Sequence, residues 1–391
     1  MNKEDFPFFK RRINNREIIY LNSASTSQKP FHVIDAINDF YETYNFSYSE
    51  NENNEVNEIY EANRRKIASF VKAEQEEIIF TKGTTESINF LASSLDIKKG
   101  DEVLVSELEH DSNVLPWQQI CKVKGAKLKF IKVNNEGELD DIGKYLTKKT
   151  KVVSLSHVSN FLGTTFNISE IGKKIHENNS LFVVDGNQSV PSIKYNVKES
   201  NIDFLAFSGH KMLGPSGIGV LYGKKELLEN LKPYQYGSFM SQKIETNTSE
   251  LKKTPFKFEA GTPNVEGVIG LGAAVNYLNK IGMENIEYNN RKLVNLFLEK
   301  TDGIKNLHVY GKNQENLVSF NFDLLSAGNV SAILNRENIF INSGNHNVSL
   351  FHKKLKIDES ARISFYLYNN EEDVNALVYV LEKIGKSFAK K

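Results

Sequence analysis

The chain has 391 residues, a length that predicts two domains, and its 40% hydrophobic and 25% charged residues are typical of globular proteins. Lys and Arg together number 49, as do Asp and Glu, so the net charge of zero argues against a nucleic-acid-binding protein. Cys121 is the single cysteine, which excludes a disulfide framework and fits a reducing cytoplasm. The polar start and the lack of a long apolar run predict a cytoplasmic protein with no signal peptide and no membrane partner.

Short apolar runs alternate with helix-like stretches between residues 78 and 222. The runs lack polar alternation, which is typical of strands buried on both faces, and their spacing leaves room for crossover helices. They cover residues 78–81, 103–106, 128–133, 152–155, 181–184, 204–207 and 218–222. This pattern predicts an α/β domain built on a mainly parallel sheet.

The C-terminal part of the chain has a different pattern. Strand candidates at residues 317–322 and 361–366 precede an amphipathic helix. The apolar face of this helix contains Val374, Leu377, Val378, Leu381, Ile384 and Phe388. We expect a small α+β domain formed by residues 1–20 and 285–391, and a large domain formed by residues 21–284.

Two polar stretches, residues 47–57 and 241–254, are predicted to be loops. The chain has no Pro-rich linker, so we expect the two domains to pack closely with a cleft between them.

Ligands of open α/β sheets lie at the carboxyl ends of the strands, so the residues after each apolar run are the candidates for a site. Thr81-Lys-Gly-Thr-Thr-Glu86 follows the first run and precedes a helical pattern. Gly83 and the two following hydroxyls suit either a phosphate cradle or a helix cap formed by Thr and Glu86. Asp185 follows another run and is either an acid in the cleft or a turn residue.

Lys211 ends the segment Ser208-Gly-His-Lys211 directly after a predicted buried strand. A single Lys is normally a solvated surface charge, but this one lies in a glycine-rich turn at a strand end. His110 and Asn160 follow two other runs, where each is either a cleft residue or a hydrogen-bonded loop residue. The eight His are scattered, and with one Cys they predict no metal site.

A phosphate cradle, an acid, an amine and an imidazole at the ends of one sheet are the groups that pyridoxal phosphate needs. Its aldehyde condenses with a Lys amine, its ring nitrogen stays protonated beside a carboxylate, and its phosphate binds N–H and hydroxyl donors. A nicotinamide site would require a glycine fingerprint after the first strand, and this chain has none there.

The chain resembles the class V aminotransferase family of fold-type I pyridoxal-phosphate enzymes, and within it the Suf-type (group II) cysteine desulfurases. The resemblance covers nearly the whole chain and rests on segments 20–30, 81–89, 109–118, 157–160, 184–191, 203–223 and 258–264. It implies a large domain with a mainly parallel seven-stranded sheet and a small α+β C-terminal domain.

The resemblance also implies roles for the candidate residues around the cofactor. Lys211 would hold the cofactor and move the substrate Cα proton, Asp185 would pair with the ring nitrogen, and Gln188 would bind the ring hydroxyl. His110 would stack on the ring and is a candidate proton carrier. The residues implied to hold the phosphate are Thr84, Thr85, Ser208 and His210.

Further implied roles concern the substrate and a second subunit. Arg362 would bind the substrate carboxylate with its planar fork, and Asn160 would face the same substrate. Thr262 would reach the phosphate of a neighbouring subunit, which implies a homodimer.

The chain departs from the family on the substrate side. The family's nucleophilic Cys ends an Arg-Thr-Gly-His-His-Cys segment, whereas the corresponding stretch here begins at Asn342 in the Arg position and ends at Asn347 in the Cys position. The family's His-Arg-Gly element has no counterpart in residues 44–50. A carboxamide cannot carry a persulfide, and Cys121 lies in a helical pattern that predicts a buried apolar role.

These observations predict an enzyme that binds L-cysteine or a related amino acid as an external aldimine and forms a carbanion at Cα. C–S lyase chemistry, or desulfuration with an external or partner thiol, is favoured over standard desulfuration. A sulfur-acceptor or iron–sulfur assembly protein is then a candidate partner. Two alternatives stay open: a catalytically silent partner or scaffold subunit, and a class V aminotransferase that acts on another amino acid.

Overall fold

The computed structural model describes residues 3–45 and 55–387. Its α-helices are Phe31–Asp39 (α1), Glu55–Val71 (α2), Thr84–Ser94 (α3), Leu115–Lys124 (α4), Ile168–Glu177 (α5), Lys225–Asn230 (α6), Val265–Ile281 (α7), Met283–Thr301 (α8), Ala327–Arg336 (α9), Ser349–Leu355 (α10) and Glu371–Ser387 (α11). Its strands are Ile19–Tyr20 (β1), Ile78–Thr81 (β2), Glu102–Ser106 (β3), Lys127–Ile131 (β4), Thr150–Ser156 (β5), Leu181–Asp185 (β6), Phe204–Ser208 (β7), Gly219–Gly223 (β8), Ser241–Ile244 (β9), Ser249–Leu251 (β10), Leu307–Tyr310 (β11), Leu317–Phe322 (β12), Ile339–Phe340 (β13), Asn342–Gly344 (β14) and Ser360–Ser364 (β15).

The largest sheet has seven strands in the order β2-β8-β7-β6-β5-β3-β4. The pairs from β7 through β6, β5 and β3 to β4 are parallel, and only β8 runs antiparallel to its two neighbours. Every residue of β3, β7 and β8 is buried, as the continuous apolar runs predict. The mainly parallel seven-stranded sheet is thus confirmed.

A second, antiparallel sheet has the order β11-β12-β15-β14 and supports its own apolar cluster. Helix α11 buries Val374, Leu377, Val378, Leu381 and Ile384 against this cluster, so the predicted amphipathic face is confirmed. Phe388 lies outside the described residues. The residues around the first proposed boundary pack in both directions, because Tyr20 joins the core of the large sheet and Leu21 joins the core of the small one. The division into residues 21–284 and residues 1–20 with 285–391 stays a prediction.

The prediction of a loop over residues 241–254 is wrong for residues 241–244 and 249–251, while the residues between and after them are in no helix or strand. Residues 241–244 and 249–251 pair antiparallel as a β-hairpin, in which Gln242, Lys243 and Ile244 are exposed. Such a ribbon is held by backbone hydrogen bonds and needs no apolar face, so its polar composition gave no strand signal.

The other predicted loop, residues 47–57, is only partly described. Helix α2 already begins at Glu55, so the loop prediction is wrong for residues 55–57, while residues 47–54 lie outside the described part. Among the residues that the structure describes, no helix combines the length and the apolar character that crossing a membrane requires.

Candidate active site

Lys211 lies in a single 3₁₀ turn, Gly209–Lys211, directly after the carboxyl end of β7. Its side chain is half-buried and has no hydrogen-bond or ion-pair partner within residues 3–45 and 55–387. Burial, followed by the charge of Arg362, lowers the pKa of Lys211 to about 8 against the opposing effect of Asp185. A substantial fraction of the amine is therefore neutral near pH 8, the form that attacks an aldehyde.

Asp185 ends β6, the strand next to β7, and is buried. One carboxylate oxygen accepts a 2.9 Å hydrogen bond from the backbone N–H of Asn187, so the turn role that the sequence left open is present. Burial raises the pKa of Asp185, and the charge of Lys211 opposes this rise. The acid and the amine thus face one site from adjacent strand ends, as their positions after the two runs predict.

His110 lies after β3 and is held at its Nδ1 atom, which accepts a 3.0 Å hydrogen bond from the backbone N–H of Ser112. Burial, followed by the charges of Lys211 and Arg362, lowers the pKa of His110 to about 4. The imidazole is therefore neutral at pH 7 and carries its proton on Nε2, because Nδ1 is occupied as an acceptor. A neutral flat ring beside Lys211 suits stacking on an aromatic cofactor.

A cradle of close backbone contacts lies where β2 meets α3. Gly83 has φ 153°, and a Cβ at this position would come within 3.1 Å of the Ser208 hydroxyl. A Cβ at Gly219 would come within 2.4 Å of the Gly83 Cα, so side chains are excluded on both sides. The backbone N–H and hydroxyl of Thr84 each lie 2.9 Å from the Ser208 hydroxyl.

The start of α3 favours the cradle over the cap that the sequence left open. Gly83 is the N-cap residue and provides no side-chain cap, so a Thr cap is wrong, and Glu86 instead accepts from the backbone of Lys82. The backbone N–H of Thr84 donates to the Ser208 hydroxyl, and the N–H groups that follow it at a helix start without an N-cap side chain are suited to bind phosphate. Thr85 donates to the Ser112 hydroxyl at 3.0 Å, which places it on the His110 side of the cradle.

His210 and Gln188 have backbone partners in this structure. The carbonyl oxygen of His210 accepts hydrogen bonds from the side chains of Thr26, Ser27 and Lys29, and its imidazole is half-buried with a pKa lowered to about 4 by burial. Gln188 is buried and donates to the carbonyl oxygen of Ala24 at 2.9 Å. The contacts predicted for their side chains with a cofactor stay predictions.

Arg362 is a buried cation on β15, only 3% exposed, and it has no carboxylate partner in the described part of the chain. Its guanidinium donates to the carbonyl oxygen of Asn160 at 2.6 Å and to the Ser25 hydroxyl at 2.9 Å, while its Nε atom has no partner. Burial lowers its pKa to about 10, so the group stays charged at neutral pH. A buried cation without a counterion suits an anionic ligand.

Asn160 joins the Arg362 side of the site to the loop between β14 and α10. Its side-chain amide donates to the carbonyl oxygen of His346 at 2.8 Å. The Nδ1 atom of His346 is also buried without a partner. Together with the Nε atom of Arg362, this leaves two buried nitrogens without protein partners on one side of the cluster, as a site that binds a polar ligand requires.

Asn347 is exposed on the loop between β14 and α10. Its carbonyl oxygen accepts a 2.8 Å hydrogen bond from the backbone N–H of Asp111, and the Ser349 hydroxyl donates to the Asp111 carboxylate at 3.0 Å. The loop is thus fixed to the turn that carries His110. At the other end of the segment, Asn342 donates to the Ser25 hydroxyl that Arg362 also contacts.

Two predicted residues remain, one beside the start of α3 and one in the apolar core. Thr262 is exposed and lines a cavity of 170 Å³ with Lys82 and Glu86, and Lys211 does not line this cavity. Cys121 is 3% exposed among the apolar residues around α4, and burial raises its pKa to about 11, so its buried apolar role is confirmed.

Ser25 and Glu109 also belong to the site, although they were not among the residues predicted from the sequence. Ser25 connects Arg362 with Asn342, and its distance along the chain gave no signal for this contact. Glu109 is a buried acid that directly precedes His110 after a buried strand, and this position was a usable signal.

Comparison with known proteins places the chain in a family. The family model described as Aminotransferase class-V matches residues 19–377. A probable cysteine desulfurase of Halalkalibacterium halodurans is 40% identical over 99% of this chain and 98% of its own length. The apo structure of a cysteine desulfurase from Thermococcus onnurineus has a TM-score of 0.94 and 36% identity, covering 99% of this chain and 98% of that one.

A more distant structure shares the fold. It is a C-DES mutant with glycine covalently linked to its pyridoxal phosphate cofactor, with a TM-score of 0.86 and 22% identity. The match covers 98% of this chain and 99% of that chain.

Proposed function

The chain belongs to the class-V aminotransferase family, and from this premise we propose that it cleaves the C–S bond of L-cysteine or a related amino acid without a sulfur-carrying cysteine of its own. Pyridoxal phosphate is its cofactor, and its relatives support a cysteine desulfurase-like enzyme. The observation that carries the proposal is that the single thiol, Cys121, is buried in an apolar cluster with its pKa raised, while Lys211, Asp185 and Arg362 form a charged site.

The residues at the strand ends fit this cofactor. The uncapped start of α3 and the Thr84 and Ser208 hydroxyls would hold its phosphate, and Thr85 and His210 would add donors. Asp185 would hold the ring nitrogen protonated, His110 would cover the ring face, and Gln188 would bind the ring hydroxyl. When bound, the cofactor captures an amino acid through its aldehyde and accepts the electron pair released at Cα.

The remaining steps belong to the protein's own side chains. Arg362 would bind the substrate carboxylate with its planar fork, and Asn160 would face the same substrate. Lys211, once free, would take the proton from Cα, because its lowered pKa makes the amine an effective base near neutral pH. His110, which is neutral and has its proton on Nε2, would donate a hydrogen bond to the departing sulfur.

The fate of the sulfur separates this enzyme from a standard desulfurase. In the lyase reaction cysteine and water give sulfide, pyruvate and ammonia, so no protein thiol is consumed. In the alternative, an external or partner thiol accepts the sulfur and alanine is the product. We propose that Asn347 occupies the place of the family's nucleophile, where its carboxamide cannot form a persulfide.

We propose two further features of the assembly. Thr262, exposed in a cavity that Lys211 does not line, would reach the cofactor phosphate of a second subunit in a homodimer. A sulfur-acceptor protein, such as an iron–sulfur assembly component, would bind near the Asn347 loop when desulfuration rather than lyase chemistry operates.

The test is product analysis of the cofactor-loaded wild-type protein with L-cysteine. We expect sulfide and pyruvate in equal amounts and no persulfide on the protein. Stoichiometric alanine without an added thiol would contradict the lyase proposal, and alanine that appears only with dithiothreitol would support the thiol-dependent alternative.

The same assay separates the two other hypotheses that the sequence left open. A catalytically silent subunit would bind the cofactor, but no amino acid added to it would change the cofactor's spectrum. An aminotransferase would release a 2-oxo acid only when a second 2-oxo acid accepts the amino group. The charged groups around Lys211 favour an active enzyme, because a silent subunit does not need all of them.

A further inference from the structure

Glu109 is a buried carboxylate at the carboxyl end of the large sheet. Only 2% of the residue is exposed, and no cation of the described chain forms an ion pair with it. One of its oxygens accepts a 2.6 Å hydrogen bond from the Ser106 hydroxyl. The other accepts from the side chain of Asn113 and from the backbone N–H of Ser156, both at 2.8 Å, and from the Ser156 hydroxyl.

The four donors come from three separate places around the site. Ser106 is the last residue of β3, Ser156 is the last residue of β5, and Asn113 lies in the turn directly after His110. Ser156 also pairs in register with Asp185 on β6. The Glu109 side chain therefore connects the His110 turn to strand ends beside Asp185.

Neutral donors alone stabilise this carboxylate. Burial, together with the charge of Asp185, raises the pKa of Glu109 to about 7 against the opposing hydrogen bonds from Ser106, Ser156 and Asn113. A buried acid without a counterion is costly for folding, so its four convergent bonds indicate a structural task at this place. Asn113 extends the network, because its side-chain oxygen accepts from Trp117 and from the Ser154 hydroxyl.

We propose that Glu109 is a positioning residue for the cofactor site, whose hydrogen bonds fix the His110 turn against the ends of β3 and β5 and so set the distance between His110 and Asp185. The proposal rests on the roles proposed above for these two residues. Glu109 acts through them and need not touch the cofactor.

A Gln side chain separates hydrogen bonding from charge at this position. Its amide oxygen can accept the three bonds from Asn113 and Ser156, and its NH₂ group can donate to the Ser106 hydroxyl, which also accepts. Ala removes every acceptor and leaves buried donors without partners. Glu102 provides a matched control, because it is a buried Glu at the amino end of β3, the strand that precedes Glu109, and it is held by Thr147 and Lys129.

The experiment measures the pyridoxal phosphate dissociation constant, the visible circular dichroism of the bound cofactor, and the unfolding temperature of the cofactor-free chain. Glu109→Ala should weaken cofactor binding by at least about tenfold and change the circular dichroism, because His110 is then no longer held in place beside the cofactor ring. Glu109→Gln should restore affinity to within about threefold of wild type. Glu102→Ala should lower the unfolding temperature with neither effect on the cofactor.

Equal cofactor affinities in Glu109→Ala and Glu102→Ala would overturn the proposal, as would a Gln variant that behaves like the Ala variant. Should Glu109→Ala fail to fold, Glu109→Asp, whose shorter arm withdraws the acceptors, replaces it with the same expectations. Lys211→Ala in the same series tests the site itself. If wild type and Lys211→Ala bind the cofactor alike, the proposed function fails, and otherwise only the role of Glu109 is in question.

Discussion

The strand ends around Lys211 and the loop around Asn347 are built differently. At the strand ends, Asp185 and Ser208 are buried and held by the sheet. On the loop, Asn347 is exposed and fixed mainly through its backbone to Asp111. We call the strand ends the rigid side because the sheet holds them. In the proposed function this side binds the cofactor, whereas the loop side has no thiol. If the proposed function holds, cofactor chemistry and sulfur transfer depend on separate parts of the molecule.

Removing the amine on the rigid side should have the largest effect. Lys211→Ala should abolish the covalent cofactor link and reduce turnover by about 10²–10⁴-fold, because both attachment and proton transfer depend on this amine. Visible absorbance and a cysteine turnover assay measure the two effects. Lys151→Ala, an exposed Lys on β5, is the control and should change neither. Retention of the absorbance band by Lys211→Ala would show that the anchor is elsewhere.

The rigid side should also respond to pH. With its pKa near 8, Lys211 becomes neutral as pH rises, so cofactor capture by the cofactor-free chain should accelerate about fiftyfold from pH 6 to pH 8 and then level off. His110, with its pKa near 4, stays neutral throughout this range. Stopped-flow absorbance measures the rate.

Two variants check the origin of this pH dependence. Arg362→Leu should move the midpoint of the rate-against-pH curve to higher pH, because Arg362 lowers the pKa of Lys211. Asp185→Asn should move this midpoint to lower pH, because Asp185 raises the same pKa. A midpoint near the ordinary Lys value in wild type would contradict the environment described for Lys211.

Arg362 connects the two sides and is the proposed partner of the substrate carboxylate. Its replacement should therefore weaken substrate binding more than cofactor binding. Arg362→Lys should lower kcat/KM by about tenfold, mainly through KM, because an ammonium cannot present a planar fork to a carboxylate. Steady-state kinetics and a cofactor titration separate the two effects. Arg291→Lys, at a half-exposed ion pair with Glu315 away from the site, should leave both unchanged. A loss of cofactor affinity equal to the loss in kcat/KM would assign Arg362 to the cofactor instead.

Replacing Asn347 on the loop side should change where the sulfur goes. Of all these variants it should have the smallest effect on the turnover rate. Asn347→Cys should allow up to one persulfide per chain, because it introduces an exposed thiol beside the His110 turn, while turnover stays within about threefold of wild type. Mass spectrometry of the intact protein detects the added sulfur. Cys121→Ala in the Asn347→Cys background is the control and should keep the persulfide. A persulfide on wild-type Cys121 would contradict the separation of the two regions.

Much of the rigid side could be predicted from the sequence because it depends on local pattern. Continuous apolar runs identified the seven strands, and the carboxyl ends of parallel strands must meet at one edge, so Lys211, Asp185 and His110 were expected together. The exposed hairpin at residues 241–251 was missed because polar strands in a ribbon lack that pattern.

By itself the sequence determined the family, the large sheet and the chemical types at its strand ends, since periodicity and motif spacing are properties of neighbouring residues. Only the tertiary structure decided which distant groups meet. Glu109 bonds Ser156, 47 residues away, and Arg362 contacts Asn160 and Ser25 across 202 and 337 residues. Such contacts depend on how loops pack on the finished sheet, which no local pattern encodes, and they fix the pKa values and the buried nitrogens of the site.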